Sequence, residues 1–255
     1  MKSLPRCSLL RLVPLAIALL ALTGCVTSKK YRLAKDNTPP AQTLDWSAAT
    51  SLAEVKLHSL IVFKGPGSWK REARWDEYVV QIANRAAAPL VIESAELVDV
   101  LGAPQLPGDD PWKLEARSKA NWSKYSGAGL NIVLGAGAFL LYATAESAVA
   151  LSSMMGGGAG AGAAGLALVP LIAVVDIAAV AVMNHNNKAK VQAEFDRRRL
   201  RLPLTLTPGA TMAGSLFFPT TPGPQRLVIR GNSGGQPCEI VLDLKPLAGL
   251  HLKKN

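Results

Sequence analysis

Between Ser126 and Asn187 the chain runs for 62 residues with two charged side chains, Glu146 and Asp176, and glycine or alanine fills many of the remaining positions. Such a composition cannot supply the large alternating side chains that a packed sheet needs. Gly127 to Ala145 is uncharged and carries Ile132, Val133, Leu134, Phe139, Leu140 and Leu141. A second apolar stretch, Leu166 to Met183, follows a run from Gly156 to Gly165 that is almost all Gly and Ala. Each stretch approaches the ~20 residues that span a bilayer as a helix. The pattern predicts a Gly/Ala-rich apolar α-helical hairpin over 126–187, turned at the glycines.

The spacings Gly156 to Gly160 and Gly158 to Gly162 allow two helix backbones to approach closely, as helices do in lipid. In this the run resembles the glycine-zipper segments of some bacterial envelope proteins. The same glycines equally suit a flexible turn, because glycine costs a helix about 1 kcal/mol relative to alanine. Glu146 and Asp176 are equidistant from position 161, so an antiparallel hairpin would hold them at similar depth. At a bilayer centre a carboxylate costs about 2.5–3.5 kcal/mol, and the pair would have to share a proton, find partners or face water. Packed beside a soluble domain, the two acids would instead mark its wetter face.

The flanks carry a different rhythm. Glu54 to Phe63, Trp75 to Ile82, Leu90 to Ile92 and Ala95 to Leu101 read as strands closed by turn residues, with Tyr78, Val80 and Ile82 on one face. After the middle, Arg201 to Thr207, Ala213 to Phe218, Arg226 to Arg230 and Glu239 to Leu244 repeat it. About four strands lie on either side, and neither set closes a good core alone. The expected fold is therefore mainly β: one Ig-like β-sandwich formed by both halves, 51–125 and 188–255, with the apolar hairpin inserted between them.

The N-terminus supplies an address. Lys2, Arg6 and Arg11 precede an apolar run from Leu12 to Leu22, and small residues follow at Thr23 and Gly24, the pattern of a secretory signal. Leu22-Thr23-Gly24-Cys25 resembles the lipobox of bacterial lipoproteins. The resemblance implies removal of residues 1–24 and diacylglycerol on Cys25. Val26, where Asp would signal inner-membrane retention, implies the outer membrane on its periplasmic face. Residues 25–50, polar from Thr27 to Asp45, read as a tether.

Arg117, Lys119 and Lys124 precede the hairpin, and Lys188, Lys190, Arg197, Arg198, Arg199 and Arg201 follow it. For an inner-membrane span such flanks belong in the cytoplasm, whereas the lipobox places the chain outside it. The hairpin is then expected to reinforce the lipid anchor, to pair with other copies, or to cover an apolar surface on a partner. Arg197, Arg198 and Arg199 could contact anionic head groups; as a plain alternative they end a solvated basic helix from about Lys188.

With three basic residues in the signal, the mature charge is 25 − 18 = +7. A periplasmic address argues against nucleic acid, and membrane lipid is the expected partner, beside a second copy or an envelope protein. Cys238 is the only cysteine left after Cys7 is removed and Cys25 lipidated; it reads as a small buried side chain, with an intermolecular bridge as the alternative. His58, His185 and His251 lack metal-ligand spacing and read as surface or capping residues. Asp109-Asp110 has too few oxygen ligands around it for a calcium site. Nucleophile-elbow and phosphate-loop motifs are missing, so neither catalysis nor a cofactor is expected, and a periplasmic hydrolase is a third, weaker class. The leading expectation is a non-catalytic envelope lipoprotein; the alternative is a component of an oligomeric secretion or pore assembly built on the hairpin.

Overall fold

The protein is described by a computed structural model over residues 32–33, 40–135 and 173–253. The signal, Cys25, Glu146 and most of the expected hairpin lie outside the described residues.

The described chain is mainly β, in two antiparallel sheets. The first has the order β1 (Trp46–Ala49), β2 (Ala53–Ile61), β3 (Trp75–Asn84), β7 (Thr211–Pro219). In the second, β5 (Pro104–Gln105), β4 (Leu90–Val98), β8 (Arg226–Ser233) and β9 (Gln236–Asp243) follow one another, and β6 (Leu204–Leu206) also pairs with β4. Both sheets thus mix strands from before and after the middle: β3 with β7, and β4 with β6 and β8. Neither half is a sheet system by itself, as the strand count anticipates.

Alternation explains the packing. Val55 and Leu57 of β2 and Tyr78, Val80 and Ile82 of β3 join Leu90, Ile92 and Leu97 of β4, Leu227 and Ile229 of β8, and Ile240 and Leu242 of β9 in one buried cluster. Polar positions between them face away. Tyr78 meets Phe218 edge-on at 5.4 Å within this core. Buried apolar area of this kind contributes about 25 cal/mol per Å².

Four details correct the sequence reading. Trp46–Ala49, placed in the tether, is an edge strand paired with β2 from Trp46↔Leu57 to Ala49↔Glu54. The two runs Leu90 to Ile92 and Ala95 to Leu101 fall on one strand, β4, which ends at Val98 and has a register shift between Ile92 and Ser94. At that irregularity Gly231 faces β4 so closely that a Cβ would lie 2.1 Å from the Val91 carbonyl oxygen.

The third correction is a helix, α1 (Pro111–Gly127), where only a loop and basic flank were expected. Asp110 caps it, accepting from the Trp112 and Lys113 amides at 2.7 and 2.9 Å, and Pro111 occupies the first turn, where a missing N–H does no harm. The second helix, α2 (Ala173–Arg198), extends the expected basic helix toward its N-terminus and contains Asp176 as a helical position. Among the described residues no helix is long and apolar enough to cross a membrane. The fourth correction concerns His251, which is fully buried rather than a surface residue.

Candidate functional site at the base of the inserted segment

A second apolar cluster lies between the first sheet and the helices. Trp69, Ala73, Trp75 and Phe217 meet Leu114 of α1 and Val191 and Phe195 of α2. Phe195 stacks on Phe217 at 4.1 Å, and Trp75 contacts both edge-on at 5.6 and 5.3 Å. For the tryptophans of the first half, core and interface-belt roles are both ordinary from sequence; Trp69 and Trp75 are buried in this cluster. Alternation on β3 makes the arrangement: Tyr78, Val80 and Ile82 enter the shared core, while Trp75 and Glu77 face the helices.

Glu77 is fully buried, and its carboxylate has three partners. It accepts from Trp69 Nε1 at 2.5 Å and from Ser215 Oγ at 2.7 Å, and Arg198 Nη1 lies 3.4 Å away. The buried Lys70 ammonium donates to the Trp75 carbonyl and sits 3.5 Å from the centre of the Trp75 ring. Burial pushes its pKa down to about 8, against the opposing pull of Glu77, Asp76 and Glu115. Glu115 accepts from the Arg74 amide at 2.8 Å. These charges join the sheet to the helices.

Each of the three arginines singled out as lipid contacts has an acidic side chain within 4 Å, and Arg197 is 66% exposed. Arg197 hydrogen-bonds Glu194 through Nε and Nη2 at 2.7 and 2.6 Å, and Arg198 reaches the same carboxylate at 2.6 Å. The bond from Arg197, with that from Arg198, brings Glu194 down to about 2. Arg199 Nη2 lies 3.8 Å from Asp196, while its buried Nε has no hydrogen-bond partner. Arg199 is one of the residues lining a recess of about 160 Å³ between β7 and the segments that flank it.

Residues 131–135, the last described before residue 173, lie against the C-terminal tail. Ile132 bridges Leu252, the Val133 amide donates to the His251 carbonyl at 2.9 Å, and the Lys253 amide donates to Asn131 at 2.8 Å. His251 Nε2 is 2.8 Å from Asp76 Oδ2, and the Gly135 amide donates to its Nδ1 at 2.9 Å. An amide N–H can only donate, so Nδ1 is the acceptor and Nε2 carries the proton given to Asp76. Sequence distance hides this site: Asp76 and His251 are 175 positions apart.

The remaining positions singled out from the sequence fall apart from one another. Cys238 is buried in β9, as read from sequence, with Thr50 Oγ1 3.7 Å from its sulfur. His58 is exposed beside Asp45 at 3.3 Å. Asp110 is spent on the helix cap, and Asp109 lines the recess. Among the described residues no group of three or more His, Cys, Asp or Glu side chains could hold a metal ion. No family model, no curated protein and no solved structure matches this chain.

Proposed function

We propose that this chain is a non-catalytic envelope lipoprotein, a binding or scaffolding module held to the periplasmic face of the outer membrane by lipidated Cys25. Its β-body is an Ig-like sandwich. The strand order supports that type: β2-β3-β7 follow the A-B-E arrangement, and β6-β4-β8-β9 follow C′-C-F-G, with the disulfide of antibody domains missing. The apolar segment is then an excursion in the crossover between the C-like and C′-like strands, and it serves membrane contact or self-association.

One observation carries this reading: both sheets are shared between the halves, so the segment interrupts a body that closes its own core. An excursion whose composition is apolar, launched from a finished domain, has its function outside that domain. The non-catalytic reading is supported by how buried ionisable groups are used, since Asp76, Glu77 and Lys70 are each bonded within the protein.

The test is fractionation of wild type beside Cys25→Ser carrying a replacement cleavable signal, followed by carbonate extraction and sizing in detergent. Release of the unlipidated protein as a soluble monomer makes it a lipid-tethered module and removes the membrane role of the segment. Retention in the membrane supports membrane contact, and a discrete large oligomer supports self-association. If wild type carries no lipid on Cys25, the lipoprotein reading fails.

A further inference from the structure

The recess beside β7 is built from three stretches that are remote in sequence: the loop before α1, the chain leaving α2, and the β7 strand itself. Their positions are fixed independently. The Gly108 amide donates to the Phe217 carbonyl at 2.7 Å, and the Leu200 amide donates to the Ser215 carbonyl at 2.8 Å. Those two bonds close the outer edge of β7 on either side, leaving the hollow between them.

Its walls are chemically divided. Leu200, Leu202, Leu216 and Phe217 supply an apolar surface, while Arg199 and Asp109 supply opposite charges. The Arg199 side chain is 23% exposed, its nearest carboxylate is 3.8 Å from Nη2, and its buried Nε is unpartnered. A buried donor without a partner is uncommon, because desolvation goes uncompensated. The Nε–H and the adjacent Nη–H of a guanidinium form the planar fork that holds a carboxylate with two parallel hydrogen bonds. Asp109, close enough to Arg117 for their charges to interact, disfavours a multiply charged anion in the same hollow and offers an acceptor for an ammonium. A volume of about 160 Å³ leaves room for a small organic molecule.

We infer that this recess binds a free α-amino acid with a short apolar side chain, its carboxylate on Arg199, its ammonium toward Asp109 and its side chain against the leucines and Phe217. The site is independent of the membrane reading, since none of its residues belongs to the lipid anchor or the inserted segment.

The Nε–H of Arg199 gives a direct readout. Full-length protein labelled with ¹⁵N-arginine, in detergent, is titrated with leucine, with 4-methylpentanoate (the same skeleton without the amino group) and with inorganic phosphate. The Arg199 ¹⁵Nε signal is assigned by its loss in Arg199→Lys. Leucine is expected to shift it downfield and saturably in the millimolar range, with 4-methylpentanoate binding roughly tenfold more weakly. Asp109→Asn is expected to erase that preference. The inference is overturned if leucine leaves the signal unmoved at about 20 mM, or if either of the other probes matches it. Where Arg199→Lys folds poorly, Arg199→Gln supplies the same assignment, and binding itself is read on wild-type protein.

Discussion

His251 Nε2 and Asp76 Oδ2 lie 2.8 Å apart with both side chains out of contact with solvent, joining the C-terminal tail to the central strand of the first sheet. The same imidazole accepts the Gly135 amide, so one residue joins the tail, β3 and the last residue described before residue 173. Both Gly135 and His251 have positive φ, at 73° and 58°. Glycine adopts that region freely, while histidine does so against a steric penalty that its bonds offset.

Removing the imidazole leaves a buried carboxylate uncompensated. His251→Ala should therefore destabilise the protein by about 3–5 kcal/mol. Asp76→Asn keeps an oxygen to accept from Nε2, and its loss should be about 1–2 kcal/mol. Urea unfolding at neutral pH measures both. Equal losses would mean that the pair does not act as a charge held by its hydrogen-bond donor.

Lys70 makes the pH dependence calculable in sign. The unfolded amine titrates near 10.5 and the folded one near 8. Between those values the unfolded chain binds more protons, so this group's contribution to stability rises with pH. Below pH 8 its burial as a cation opposes folding by about 3 kcal/mol. Compared with Lys70→Met, wild type should gain about 2 kcal/mol in unfolding free energy between pH 8 and pH 10. A constant difference across that window would contradict the depressed amine.

Gly231 tests the irregular join of β4 to β8. A Cβ there would lie 2.1 Å from the Val91 oxygen and 3.0 Å from Ile92 Cα, both backbone atoms that cannot swing aside. Gly231→Ala should cost about 2–4 kcal/mol, read as a fall in the urea midpoint. At Gly249 a Cβ would meet no atom within 4 Å, and Gly249→Ala should stay within about 0.5 kcal/mol.

What was legible in sequence was whatever one period could reveal. The alternation Tyr78, Val80, Ile82 and its counterpart Ile240, Leu242, Leu244 located strands whose inner faces are buried. Trp46–Ala49 escaped because a four-residue edge strand has too few positions to alternate convincingly. α1 escaped because its buried face includes Glu115 and Ser118, which break an apolar stripe, although Asp110 followed by Pro111 was a helix start in plain view. The polar seam and the tail latch depend on pairs such as Glu77 with Ser215 and Asp76 with His251, separated by 138 and 175 positions. Only the sheet topology brings them together, so composition and spacing could not.

The last prediction follows from that topology. Replacing residues 136–172 by a flexible Gly/Ser linker of about ten residues retains all the residues that form the described strand pairings, the two buried clusters and the tail latch. A shorter connection also lowers the closure entropy by about 1 kcal/mol. The variant should melt within a few degrees of wild type, as followed by near-ultraviolet circular dichroism of the Trp75 and Phe217 cluster. Combined with Cys25→Ser on a cleavable signal, the deletion should yield a monomeric protein that carbonate no longer needs to extract. Failure to fold would show that the excursion completes the body's core. A folded, soluble product alongside a membrane-retained Cys25→Ser parent would assign membrane attachment to the excursion itself.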